Sequence, residues 1–499
     1  MKRFLVLFVL FAMIATSLVG CGSSGTDGPA ETEGQTTETG QGSESATETE
    51  EKQPSRFDQL PAADYGDTDF VILTKDITGS NMWDPLDIYA EVLNGDMIND
   101  AIFQRNKMVE EKYHINVVQY DDSGYATHVA AAAQTGATDY DVVDVNLITT
   151  LGSFAVNGYL KDMNSLGALD FTQPYWDEKV NQNISIKNKL YAAVSEITFI
   201  DDYATWCLIF NKDRSTAVGV DPSEIYALAK EGTWSIDRMY EYAELAVQDI
   251  NGDGMDSRDY WGIYTQYEAV NPLLASTGLT AVIRQENGDI VSNLEDENLL
   301  DAIQIVHEYM SDKTVQLYAE DTGFSDVWNE VKRQFAGGYG LFFICPVGNI
   351  NLSFFREMNE EFGILPLPKL SELDPSYTTT MQYNNATAMA ILDTSDERAV
   401  RASVILEALA AASHETLTEA FYEKVLMRKR VKDEQSAETL DLIFKNKTVD
   451  TALLYNWANI GGMFQRIMKN RSFTYASEVA SIKPAFEQAI IDTMDAFSE

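Results

Sequence analysis

The sequence predicts an α/β fold of helices layered on mostly parallel sheets, and three observations carry that expectation. Apolar runs of strand length alternate with segments whose apolar residues recur at helical spacing. No repeat of solenoid period runs through the chain. At 499 residues, 45 % hydrophobic and 23 % charged, there is apolar material for two or three cores, with two lobes the expected division. The first strand is Asp69-Phe70-Val71-Ile72-Leu73-Thr74, followed by a loop, 76–84, that holds Gly79 and Trp83. Between Met97 and Tyr113, residues Ile98, Ala101, Ile102, Met108, Val109 and Tyr113 fall near one helical face. Strand returns at His114-Ile115-Asn116-Val117-Val118; 129–133 is alanine-rich, 141–145 is strand and 147–157 helix. Farther on, 203–211 and 341–345 read as strands, and 235–248 and 299–310 as helices. Helices dominate after Asp396, at 398–413, 415–427, 436–445 and 477–497.

Composition excludes several functions. The 36 Lys and Arg against 78 Asp and Glu give a net charge of −42, which argues against nucleic acid, whose phosphates need clustered cations. Cys21, Cys207 and Cys345 are too few for a disulfide scaffold, and the four histidines are scattered. Cys207 and Cys345 have apolar neighbours, so a disulfide and two buried thiols are both open readings. There is no P-loop, dinucleotide glycine fingerprint, His-Glu-x-x-His or Gly-x-Ser-x-Gly motif.

Lys2 and Arg3 precede an apolar run, 4–15, too short to span a bilayer, which reads as an export signal over 1–20. Leu18-Val19-Gly20-Cys21 resembles the bacterial lipobox, which implies diacylglyceryl attachment at Cys21 and an anchor at the outer face of the cell membrane. Residues 21–65 then form an acidic tether rich in Gly, Ser, Thr, Gln and Glu, with too little apolar material in its first two thirds for a core. As a coil, the stretch 22–55 spans about 30 Å, enough to hold a body clear of the membrane.

Leu208-Ile209-Phe210-Asn211-Lys212-Asp213, then Ala217-Val218-Gly219-Val220-Asp221 and Gly232-Thr233-Trp234-Ser235, resemble the first family of extracellular solute-binding proteins, the sugar receptors of ABC importers, maltose-binding-protein-like. Asp139-Tyr140-Asp141-Val142-Val143, Gly158-Tyr159-Leu160, Tyr175-Trp176-Asp177 and Phe362-Gly363-Ile364-Leu365-Pro366-Leu367-Pro368 stand in the family's order. Phe335-Ala336-Gly337-Gly338-Tyr339-Gly340 departs from its pattern, with Gly340 where alanine is common. The resemblance implies a two-lobed, type II periplasmic-binding-protein-like fold, each lobe a mixed sheet flanked by helices, joined by hinge crossovers near 196–204, 377–385 and 416. The N-terminal lobe would then be 66–200 plus 386–416, and the C-terminal lobe 201–385 plus 417–499.

A sugar presents C–H faces and hydroxyl edges, so its site needs aromatic surfaces and planar polar side chains. Asn81 and Trp83 follow the first strand and Asn146 follows 141–145, at the edge where open α/β sheets collect ligands. Asp202 and Trp206 lie at the first crossing and Tyr383 at the second, while Tyr267 and Asn271 follow Trp261-Gly262-Ile263-Tyr264, a region the family uses to line its second lobe. Each aromatic among them could as well be ordinary packing, Trp206 above all. Trp234 reads as a packing residue at a helix start.

Asp249, Asn251 and Asp253, with the Met255 carbonyl, match the first positions of a calcium loop, but Tyr260 replaces the closing glutamate, so Asp259 or Asp256 would have to substitute. The same residues also make an Asx-rich turn. No other cofactor is required. The expected function is capture of a sugar or oligosaccharide by a monomeric, non-enzymatic, membrane-anchored receptor that delivers it to an ABC permease. A surface glycoside hydrolase and a non-transport carbohydrate-binding lipoprotein are the alternatives.

Overall fold

The computed structural model describes residues 55–75, 88–372, 374, 376–426 and 434–498. The export signal, Cys21, most of the tether, Asn81 and Trp83 lie outside the described residues. Residues 55–65, placed by composition in the tether, belong instead to the folded unit, which spans 54–499. Ser55 caps a helical turn, Arg56–Gln59, that seats Phe57 in the core beneath the Lys112 ammonium, 4.6 Å from its ring centre.

Among the described residues, eleven strands run in chain order: β1 Thr68–Lys75, β2 Ile115–Asp122, β3 Val142–Asn146, β4 Trp206–Asn211, β5 Trp261–Thr265, β6 Val282–Arg284, β7 Ile290–Ser292, β8 Gln316–Tyr318, β9 Gly340–Pro346, β10 Phe362–Leu365 and β11 Thr387–Ile391. A first sheet has the order β11-β3-β1-β2, with β1 parallel to β2 and β3, and β11 antiparallel to β3. A second has the order β10-β4-β9-β5-β8; β5 is parallel to β9 and β8, and β4 runs against both β9 and β10. β6 and β7 form a separate hairpin. Both sheets are mixed and flanked by helices, as the resemblance implies, but the second, with β4 antiparallel to both neighbours, is not the mostly parallel sheet that alternating strands and helices predict.

The central strands are apolar along their length because helices cover both faces: Phe70, Ile72 and Leu73 of β1 are fully buried, as are Leu208, Ile209 and Phe210 of β4. The helix Met97–Tyr113 starts where Asp96 accepts hydrogen bonds from the Ile98 and Asn99 amides. It ends at His114, whose left-handed backbone (φ 48°) delays β2 to Ile115, one residue later than the apolar pattern predicts. Likewise 203–211 is not all strand: Ile200–Ala204 is helical and β4 starts at Trp206.

Two segments joining the sheets lie side by side. The Trp206 amide donates to the Thr380 carbonyl at 3.0 Å and the Gln382 amide to that of Ala204 at 2.7 Å. Thr379 in turn bridges in parallel to Lys447. The helix Leu417–Leu426 packs on Met97–Tyr113 and Asp396–Glu415, both beside the first sheet, whereas Glu434–Lys445 packs on β10 of the second. The last helix, Tyr475–Ala496, touches both β7 and the helix Leu151–Val156 that follows β3. Cys207 and Cys345 sit opposite each other across β4 and β9 as buried free thiols, which decides between the two readings of this pair.

Candidate functional site

β5, β8 and β9 are parallel, so their carboxyl ends share one edge of the second sheet, where strands stop and unpaired backbone and loop side chains face outward. At that edge a cavity of about 650 Å³ opens. Thr265, Gln266 and Glu268 reach it from the end of β5, Ala319 from β8, and Cys345, Pro346 and Asn349 from β9. The helix Val327–Gln334 contributes Trp328, Asn329 and Lys332, and the segment entering β11 contributes Gln382, Asn384 and Asn385.

The lining is rich in amides around one carboxylate. Glu268 accepts hydrogen bonds from the Gln382 side chain at 2.8 Å, Gln266 at 3.2 Å and Asn384 at 3.5 Å. Burial raises its pKa, partly offset by the Gln382 amide. Asn349 is only 2 % exposed and its Oδ1 has no hydrogen-bond donor among the described residues, a cost that a bound hydroxyl would remove. Trp328 keeps 47 % of its surface exposed beside these polar groups, a free aromatic face at a polar site. Burial lowers the pKa of the half-buried Lys332.

The residues singled out from sequence are placed elsewhere, or at the rim. Asn146 closes the turn after β3, its Oδ1 accepting from the Ile148 and Thr149 amides, and its Nδ2 donates to the Asn384 carbonyl at 2.9 Å, which fixes the cavity edge to the first sheet. Tyr267 is buried: its ring stacks on Tyr318 at 4.3 Å and its hydroxyl donates to Asp321 at 2.7 Å. Trp206 is 1 % exposed at the start of β4, with no partner for its indole nitrogen among the described residues. Asn271 and Tyr383 come together at a separate cavity of about 100 Å³, where the Tyr383 hydroxyl accepts from the Asp450 amide at 3.1 Å.

Asp202 lies in a third cavity, of about 490 Å³. There the buried Lys447 ammonium contacts Asp201, Asp202 at 2.8 Å and Asp177 at 3.2 Å. Burial, reinforced by its acidic neighbours and opposed by Lys447, raises the pKa of Asp201 and Asp202.

In the acidic loop, carboxylate oxygens of Asp249, Asp253 and Asp259 lie within 4.8 Å of one another. Asp249 also accepts from the Gly252 and Gly254 amides, and Asp259 from those of Ile250 and Asp256. Asn251 accepts from the Asp253 amide. Asp256 is turned to Arg258, and the Met255 side chain is exposed.

Sequence reasoning missed Gln266, Glu268, Trp328, Lys332, Asn349, Gln382, Asn384 and Asn385. A signal was present for some: Gln266 and Glu268 flank Tyr267, and Gln382 and Asn384 flank Tyr383. Tyr267 opens a 3-10 turn, Tyr267–Ala269, and Tyr383 lies in a turn, and in both places the ring is buried while its polar neighbours line the cavity.

No family model matches the chain, and no curated protein does. Solved structures do. A sugar transporter of Rhizobium etli in an open conformation has a TM-score of 0.55 at 16 % identity, over 86 % of this chain and 99 % of that one. The sugar-binding protein MalE of Xanthomonas citri has a TM-score of 0.55 at 13 % identity, with the same coverage of 86 % and 99 %. An ABC-transporter-associated binding protein of B. animalis subsp. lactis, in complex with β-1,6-galactobiose, has a TM-score of 0.51 at 15 % identity, over 85 % and 98 %. The two mixed sheets and their flanking helices thus have the type II periplasmic-binding-protein fold shared by these sugar-binding and transport proteins.

Proposed function

We propose that the chain is the extracellular solute receptor of an ABC importer, that it binds a sugar or oligosaccharide in the 650 Å³ cavity, and that it performs no covalent chemistry. The observation that carries this reading is the cavity wall: the exposed Trp328 face, the carboxamides around Glu268 and the unpartnered Asn349 oxygen suit C–H faces and hydroxyls. The two sheets are the two lobes, 66–200 plus 386–416 and 201–385 plus 417–499, hinged where 204–206 and 380–382 run together. Closure over the solute marks the loaded form for the permease. The protein acts as a monomer.

Calorimetric titration against an oligosaccharide panel that includes β-1,6-galactobiose tests this: saturable heat without new reducing ends is expected. Release of reducing ends would identify a hydrolase instead, and the absence of any binding would overturn the proposal.

Attachment to the outer face of the membrane rests on the lipobox at Cys21; among the described residues no helix is long and apolar enough to cross a bilayer. Cys21→Ser should move the protein from the membrane fraction to the medium. We also propose a structural calcium ion held by Asp249, Asp253 and Asp259, supported by the convergence of their oxygens within 4.8 Å.

A further inference from the structure

Resting on that reading of the cavity, we infer that its solute is an acidic sugar, a uronic acid or an oligomer of one, whose carboxylate pairs with Lys332 while its ring lies on Trp328. Lys332 is half-buried in the cavity wall, yet its ammonium makes no hydrogen bond or ion pair among the described residues. Removing an ammonium from water without a partner is costly, and a ligand anion would repay it.

The nearby carboxylates are committed elsewhere. Asp326 caps its own helix, accepting from the Asn329 backbone at 3.4 Å and side chain at 2.9 Å. Glu268 is occupied by the Gln382, Gln266 and Asn384 amides. Arg333, next along the helix, pairs with Glu330 at 3.0 Å. Among the described residues Lys332 thus makes no direct contact with a carboxylate, and Asp326 attracts its ammonium only at longer range.

Position adds chemical class to charge. Trp328 and Lys332 are four residues apart on one helix, so their side chains leave the same face about 5–6 Å apart. A hexuronate has a matching shape, with a pyranose C–H face and a carboxylate projecting from the ring edge. Its hydroxyls would find the free Asn349 oxygen and the carboxamides beyond. The overall charge of −42 does not oppose this at contact range, because salt screens exposed charges beyond about 8 Å at physiological ionic strength.

The test titrates the full mature protein and Lys332→Gln with oligomers of galacturonate, glucuronate and mannuronate, each beside its neutral parent sugar. The expected result is at least tenfold tighter binding of one acidic oligomer than of its parent, reduced by added salt and abolished in Lys332→Gln, with the melting midpoint of the variant unchanged. Equal or tighter binding of the neutral sugar overturns the inference and leaves the receptor proposal standing. So does an acid preference that survives Lys332→Gln. Binding of no carbohydrate of either kind overturns both.

Discussion

Trp328 and Asp201 sit at opposite extremes of exposure, and each makes a prediction of its own. Trp328→Ala removes an aromatic side chain that is 47 % exposed at the cavity, so solute affinity should fall roughly tenfold or more, about 1.4 kcal/mol, with little change in the melting temperature. Titration calorimetry beside a thermal melt checks both halves. Asp201 is buried against Lys447, and its pKa is pushed up to about 7. The folded state therefore holds a proton that the unfolded chain releases near pH 4. The stability from this group is full below that value and is lost as pH rises through about 7. Denaturant melts should show Asp201→Asn flattening the decline of stability between pH 4 and 7; an unchanged slope would remove Asp201 as its source. At this scale the sequence was read least well. Tyr267 and Tyr383 suggest a site because aromatics suit sugars, but a tyrosine also suits a core, and the turns that hold them bury the rings and leave their polar neighbours at the cavity. Lys332 carried no local signal, since its isolation depends on residues far away in the chain.

Elements were more legible, because period and capping act locally. Met97–Tyr113 was readable from its apolar face, and Trp234 from its place beside the Ser235 cap. The short strands β6, β7 and β8, and the helix Val327–Gln334 with one fully buried residue, offer too few positions for a period to register. β5 underlies the cavity and owes its position to Gly262: a Cβ there would stand 2.4 Å from the Ala243 carbonyl oxygen of the helix Ile236–Ala246. Gly262→Ala should cost about 1–3 kcal/mol and weaken solute binding by displacing Gln266 and Glu268, measured by urea unfolding and titration. In the acidic loop, millimolar calcium should raise the melting temperature of the protein and leave that of Asp249→Asn unmoved. Equal shifts in both would place the ion elsewhere.

On the scale of the whole molecule, the order of blocks from Asp139 to Pro368 made the two-sheet plan legible, while the path of the last eighty or so residues was not. Helix content is visible in sequence, but partner choice is set by surfaces that distant segments create. Phe497 shows this, its ring 4.7 Å from that of Tyr191 and 6.1 Å from that of Tyr455. If the sheets are hinged lobes, saturating solute should reduce the radius of gyration in solution scattering; identical curves with and without a bound sugar would exclude closure. The 650 Å³ cavity is walled, among the described residues, by the ends of β5, β8 and β9 and the entry to β11, so one half offers a prepared landing surface before the other moves. Arrival and retention are then governed by different halves: the fixed shelf sets how fast a guest is picked up, and the swinging partner sets how long it stays. Changes to the shelf should register in association rates, and changes at the hinge in dwell time.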